Sequence, residues 1–368
     1  MNDAPGREAQ GARRGGVDPR RSGEIATEAR SGEEGNATPG ERALGAPLLE
    51  VRNLAVEFHL LEGVIPAVVG VDLRLHPGEV LGVVGESACG KSVTARAITR
   101  IIPTPPGRIV SGEVWLLGRD LLSLTEKQMR SVRGAEISMI FQEPMTSLNP
   151  AFTVGDQIGE AFRFHRRISR KEAWARAVDM LRMVEIPEPA RRARDYPHQL
   201  SGGMRQRAMI AIALACRPKV LIADEPTTAL DVTIQAQILR LIAQLQADMG
   251  MSVILITHNL GVVASMANRV MIMYAGRVME EGDADVVFRG HRHPYTHGLL
   301  DSVPRLDQPQ KELKEIRGVV PNLRDLGRGC AFLSRCDFAM DVCGDEEPSL
   351  ADVGPGHRCR CWLGDPPW

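Results

Sequence analysis

Gly85-Glu86-Ser87-Ala88-Cys89-Gly90-Lys91-Ser92 fits the spacing G-x-x-x-x-G-K-[ST] at every fixed position. An apolar run, Val80–Val84, precedes it, and a helix-like stretch from Ser92 to Ile102 follows. In that context such a loop cradles phosphate. Gly85 and Gly90 permit the backbone angles that bend a chain around an anion. The loop N–H groups and the helix start then face a β-phosphate. Lys91 reaches the β/γ oxygens, and the Ser92 hydroxyl can ligate Mg²⁺. Phosphate binding alone defines only a nucleotide binder, so hydrolysis needs carboxylates from elsewhere. Val220-Leu221-Ile222-Ala223-Asp224-Glu225 supplies them as an apolar strand ending in two acids. Asp224 suits Mg²⁺ held through water, and Glu225 suits a general base, an effect worth about 10²–10⁴-fold in rate. ATP and Mg²⁺ are the cofactors this pair of motifs predicts.

Between the two motifs lies Leu200-Ser201-Gly202-Gly203-Met204. Ser-Gly-Gly opening an apolar helix is a second anion cradle. One nucleotide does not need two cradles, so Ser201, Gly202 and Gly203 are expected to serve a nucleotide held by another subunit. A different chemistry sits near the C-terminus, where the spacing reads Cys330-x5-Cys336-x6-Cys343-x17-Cys361. Four thiolates can hold a [4Fe–4S] cluster or a tetrahedral Zn²⁺. Neither a C-x2-C pair nor the ferredoxin spacing is present, so spacing does not choose the metal, and free reduced thiols in a loop-rich tail are the alternative. Cys89 lies inside the phosphate loop and offers mainly backbone; Cys216 follows an apolar helix and reads as core.

The elements that must position these residues alternate in type. Strand-like runs cover Leu48–Phe58, Val68–Leu75, Val80–Val84, Val110–Leu117, Val220–Ala223 and Ser252–Thr257. Residues 125–194 read as mostly helical with breaks at Pro144, Pro150 and Pro187, and Ile234–Met249 and Leu260–Asn268 read as helices. Strands alternating with helices predict an α/β sheet with parallel strands. Residues 1–46 carry almost no large apolar side chain and are expected to form a disordered leader, or to reflect a misplaced start codon. An ATPase domain is assigned to 47–282, with a helical subdomain at about 143–210. Residues 283–368, richer in Pro and Gly and carrying five of the seven cysteines, read as a separate appendage.

Composition sets the outer limits. The 368 residues suit about two domains. With 45 Lys and Arg against 46 Asp and Glu, the chain is no globally basic nucleic-acid binder. Aromatics at 4% leave too few rings for a surface that stacks single strands. No apolar run reaches the length of a membrane span, and no signal-peptide core opens the chain, so a cytoplasmic location with reduced or metal-bound thiols is expected.

Taken in order, these motifs resemble the ATP-binding subunits of ABC transporters. LSGGM looks like that family's signature, with Met204 where Gln is commoner. The resemblance assigns Gln142, in Phe141-Gln142-Glu143-Pro144, to the Q-loop and to Mg²⁺. It assigns Asp231, in Ala229-Leu230-Asp231, to the D-loop, and His258 to the switch that contacts the γ-phosphate. Phe58 takes the place of the adenine-stacking aromatic. The family implies a RecA-like core with an antiparallel β subdomain and a helical signature subdomain. It implies two ATP molecules sandwiched between two such subunits, and closure that pulls on two membrane permease subunits through coupling helices seated near the Q-loop.

Phe141–Pro150, His293-Pro294-Tyr295-Thr296 and the cysteine tail further resemble the D-type ATPase of the dipeptide, oligopeptide and nickel importers. That group implies import of peptides, with nickel or glutathione as alternative cargo. It implies a second, related ATPase as partner, an extracytoplasmic solute-binding protein acting indirectly, and a peripheral position on the cytoplasmic face of the membrane. It also favours the iron–sulfur cluster, with Cys361 rather than Cys359 as the fourth ligand. Ala88 replaces a more usual Gly, and Asn259 an Asp. A soluble ABC ATPase acting on DNA or the ribosome is the competing class; the single cassette without sustained heptads argues against it.

Overall fold

The computed structural model describes residues 45–228, 230–303 and 315–368. The expected leader therefore lies outside the described residues, apart from its last two positions, as does Ala229. The chain opens with two long strands, β1 (Leu49–Leu60) and β2 (Gly63–Leu75), and then β3 (Val80–Val84) and α1 (Lys91–Ile98). There follow β4 (Gly107–Leu116), β5 (Arg119–Asp120), α2 (Glu126–Val132) and β6 (Ile137–Ile140). A helical block comprises α3 (Pro144–Ser147), α4 (Val154–Arg166), α5 (Arg170–Met183), α6 (Pro189–Arg192) and α7 (Gly202–Leu214). Next come β7 (Val220–Asp224), α8 (Val232–Met249), β8 (Ser252–Ile256), α9 (Leu260–Met266), β9 (Arg269–Tyr274) and β10 (Arg277–Asp283). The tail holds α10 (Ala284–Gly290), α11 (Pro294–Asp301), α12 (Val342–Asp345), β11 (Ala351–Gly354) and β12 (His357–Cys359).

Two sheets organise these elements. One is antiparallel, in the order β2-β1-β4-β5. The other runs β11-β12-β10-β9-β3-β8-β7-β6. Within it β6, β7, β8, β3 and β9 are parallel, as the alternation of strands and helices predicts. Central strands covered on both faces must be apolar throughout, and β3, β7 and β8 are buried at every position. The helical block packs its own core, with Ile158, Ala177, Leu181 and Leu214 fully buried, and joins β7 and β8 through Leu221 and Leu255. Each buried Ile or Leu side chain contributes about 1.5–3 kcal/mol.

Several local expectations are corrected. Ile137–Ile140 forms β6, a sheet strand, inside the stretch read as helical. A four-residue apolar run carries no period long enough to separate strand from helix, and its pairing with β7 decides. Strands β9 and β10 were not foreseen either. Helix α1 stops at Ile98, four residues early, because Thr99 caps it and Arg100 takes a left-handed φ of 54°. The cysteine-bearing tail is no detached unit: β12 pairs antiparallel with β10, so the tail extends the main sheet at its edge.

Candidate active site

The phosphate loop leaves the end of β3, which lies between β9 and β8 in the parallel sheet. Gly85 has a φ of 154°, and a Cβ there would sit 2.2 Å from the Met273 carbonyl oxygen. Gly90 has a φ of 102° and caps α1; a Cβ on it would meet the Ala67 carbonyl oxygen at 2.7 Å. Glycine is thus required at both positions by close backbone approach as well as by backbone angle. Cys89 is fully buried beneath the loop, and burial pushes its thiol pKa up. Its carbonyl accepts a hydrogen bond from the Gly276 N–H at 3.0 Å, which pins the loop to the turn after β9. Lys91 is buried, and its ammonium donates to the carbonyls of Gly85 (2.7 Å) and Glu86 (2.9 Å).

Strand β7 lies two places away from β3, with β8 between them, and brings the acids alongside. Asp224 Oδ1 accepts a hydrogen bond from the Ser92 hydroxyl at 2.8 Å. Its other oxygen, Oδ2, is buried with no hydrogen-bond partner, and burial pushes the carboxyl pKa up. A fully buried carboxylate oxygen without a donor is costly unless a cation meets it. The donor set of Ser92 and Asp224 therefore fits Mg²⁺, a hard cation that takes oxygen ligands.

Glu225 follows at a φ of 46°, just past the strand end. Its Oε2 is a point of convergence. The Thr228 hydroxyl donates to it at 2.8 Å, the Gln142 amide donates at 3.2 Å, and His258 Nδ1 stands 3.6 Å away. Gln142 follows β6, Glu225 follows β7 and His258 follows β8, so three neighbouring parallel strands deliver the three groups to one place. His258 keeps an exposed side chain while that of Glu225 is mostly covered. The Asn259 side chain accepts from the Val262 N–H and caps α9, so the replacement of Asp here keeps the capping role.

Other candidate residues lie apart from this cluster. Ser201 caps α7 by accepting from the Met204 N–H at 3.3 Å. Gly202 and Gly203 lie against Leu230 and Ile234, and Asp231 caps α8 through the Ile234 N–H. The signature and D-loop segments are thus packed on each other. Phe58 stands half-buried on β1, opposite Ile65 and Gly107 of the antiparallel sheet. Glu86, Ser87 and Ala88 complete the loop, Ala88 with a left-handed φ of 61°.

Cys330, Cys336, Cys343 and Cys361 line one small apolar pocket with Phe332, Leu333 and Phe338. The Cys330 N–H donates to the Cys343 carbonyl at 2.8 Å, and a Cβ on Gly329 would clash with that same oxygen at 2.2 Å. Burial pushes the Cys336 thiol up to about 11 and raises Cys330 and Cys361 as well. Cys359 is buried on β12 and is not among the residues lining the pocket. Among the described residues, no group of three or more His, Cys, Asp or Glu side chains stands in metal-holding geometry.

Sequence reasoning missed three partners of the site. Thr228 steadies Glu225. Tyr295 accepts a hydrogen bond from the Glu86 N–H at 2.9 Å. Arg335 grips the Glu86 carboxylate at 2.6 and 3.0 Å. Tyr295 and Arg335 fall inside segments that mark the subfamily, but nothing in the local sequence points them at a loop more than 200 residues away.

A phosphate loop after one parallel strand, with paired acids after another, defines an ATP-hydrolysing cassette. Residues 68–228 match the ABC transporter family, and residues 279–343 match the oligopeptide/dipeptide transporter C-terminal region. A Sinorhizobium fredii protein described as a probable peptide ABC transporter ATP-binding protein is 55% identical over 316 residues, covering 86% of this chain and 94% of that one. The oligopeptide transport ATP-binding protein of Bacillus subtilis is 51% identical, covering 86% of this chain and 88% of its own. That organism's dipeptide transport ATP-binding protein is 50% identical, covering 86% and 95%. Among solved structures, a dimeric post-hydrolysis ATP-binding cassette bound to ADP and Pi superposes with a TM-score of 0.58 at 29% identity, covering 64% of this chain and 98% of that one. The chain belongs to the ATP-binding subunits of ABC transporters, in the peptide importer group. It is an ATPase of that family. Among the described residues, no helix is long and apolar enough to cross a membrane.

Proposed function

We propose that this subunit hydrolyses ATP to drive import of dipeptides and oligopeptides, docked from the cytoplasmic face on two membrane permease subunits. The observation that carries the reading is the convergence of Gln142, Thr228 and His258 on Glu225, beside the Ser92–Asp224 pair. The C-terminal match and the peptide names of the relatives support the cargo. Lys91 would leave the carbonyls it now holds to bind the β/γ oxygens. Ser92, Asp224 and Gln142 would hold Mg²⁺, which neutralises phosphate charge when bound. Glu225 would take the proton of the attacking water, oriented by Gln142 and Thr228, while His258 meets the γ-phosphate. Ser201, Gly202, Gly203 and Asp231 would face the nucleotide of a second, related ATPase, and Phe58 would stack on adenine. The dimeric state of the solved cassette supports that pairing.

An apolar groove beside the Q-loop, lined by Ile101, Phe141, Leu148, Met209 and Ile212, supports docking of a permease helix there. A [4Fe–4S] cluster in the tail, with Zn²⁺ as the alternative, rests on the cysteine count and the family resemblance alone, since no metal-holding group stands among the described residues. Iron, acid-labile sulfide and zinc measured per chain after anaerobic purification separate the two. The reading as a whole is tested by uptake of a labelled dipeptide in cells lacking other peptide importers. Uptake lost with Glu225→Gln, while ATP still binds, is the expected result. Uptake at the wild-type rate in that variant overturns the coupling, and no uptake with either protein moves the cargo to longer peptides, nickel or glutathione.

A further inference from the structure

Glu86 places a carboxylate on the very loop that must receive a polyanion. Left unpaired, it would repel the phosphates. Instead its two oxygens are held by the Arg335 guanidinium in a bidentate pair at 2.6 and 3.0 Å. The Arg335 side chain is 3% exposed and that of Glu86 28%, so solvent screens the pair only in part. Arg335 is itself held tightly. Its Nε donates to the Arg317 carbonyl at 2.8 Å, and its guanidinium lies 5.7 Å from the Tyr274 ring centre and 6.0 Å from that of Phe332. The pair with Glu86 keeps the Arg335 pKa above its ordinary value. Tyr295, packed on Tyr274 and Phe332, takes the Glu86 N–H. The Glu86 carbonyl is one of the two that hold the Lys91 ammonium. The tail therefore fixes the side chain and the N–H of the loop residue whose carbonyl receives the phosphate-binding lysine.

We infer that Arg335 is a positioning residue for nucleotide binding: it neutralises Glu86 and, with Tyr295, holds the first turn of the phosphate loop in its anion-receiving shape. Tyr295 and residues 315–368 thereby set the affinity of a site whose phosphate-contacting residues all lie elsewhere in the chain. The inference rests on the phosphate-loop reading above. Its electrostatic content is specific. Removing the guanidinium leaves a bare carboxylate near the triphosphate, and removing that carboxylate as well cancels the penalty.

The test is binding of a fluorescent MgATP analogue to the purified full-length chain, with MgADP measured alongside. Lys91→Ala is the control for the loop reading. Arg335→Ala is expected to raise the MgATP Kd about tenfold and the MgADP Kd less, since the repulsion grows with phosphate charge. Glu86→Gln added to Arg335→Ala is expected to recover most of the affinity, and Arg335→Lys to retain most of it. An unchanged Kd in Arg335→Ala overturns the inference. So does a double variant as weak as the single one, which would make Arg335 a packing residue only. Loss of binding with Lys91→Ala alone leaves the loop reading standing while the inference falls; no effect of Lys91→Ala overturns both. If Arg335→Ala does not fold, Arg335→Gln with and without Glu86→Gln decides by the same recovery.

Discussion

The acid cluster around Glu225 and the cysteine pocket of the tail are built on opposite principles. At Glu225, polar groups reach one oxygen from three strand ends, and the neighbouring Asp224 keeps one oxygen unpartnered. Such a site is poised for a charged ligand before any arrives. In the tail, four thiols face an apolar pocket, and burial raises the pKa of Cys330, Cys336 and Cys361. A cation there would have to displace protons first. The first region gathers polar groups around one carboxylate, whereas the second gathers thiols among apolar side chains. Arg335, next to Cys336 in the chain, ties the tail to the phosphate loop through Glu86 and does not touch the acid cluster.

The comparison breaks most visibly if the acid cluster can be emptied without cost. Glu225→Gln is expected to lower ATP turnover about 10²–10⁴-fold while nucleotide binding persists, measured as phosphate release against analogue binding. A drop below tenfold would move the general base elsewhere. Gly85→Ala comes next. Its Cβ would press on the Met273 carbonyl oxygen, at an overpacking cost of about 1–3 kcal/mol, seen as a lower melting temperature and a weaker MgATP Kd. Unchanged melting would show that the end of β9 yields easily.

Smaller effects sharpen the contrast. Phe58→Ala is expected to raise the KM for ATP about two- to tenfold with kcat nearly unchanged, the size of an aromatic stacking contribution. A fall in kcat instead would assign Phe58 to the sheet rather than to adenine. Replacing Cys330, Cys336, Cys343 and Cys361 together by Ser is expected to leave ATP turnover within about threefold, under 1 kcal/mol in barrier, whether or not the wild-type chain carries metal. A collapse of turnover with a normal melting curve would show that the pocket is wired into catalysis, and Arg335 would be the first residue to test as its route.

Much of this site was legible because phosphate chemistry is local. A loop that wraps an anion needs its glycines and lysine within eight positions, so Gly85–Ser92 declares itself in one reading. Strand β7 announced Asp224 and Glu225 because a doubly covered strand must be apolar to its end. The short strand β6 was hidden in a helical stretch, since four apolar residues show no period. Strands β9 and β10 escaped as well, although β9 completes the parallel sheet and carries Tyr274 to the tail.

The amino-acid order by itself determined the phosphate loop, the two acids and the alternation of strands and helices, because these are written in short runs of neighbouring residues. Only the tertiary structure decided that Thr228 shares Glu225 with Gln142, and that Cys330 meets Cys343 backbone to backbone. It alone brought Arg335 across 249 positions to neutralise Glu86. Electrostatic pairing acts through space and leaves no period or spacing in the chain, so it becomes visible only when the sheet edge carries the tail back to the loop.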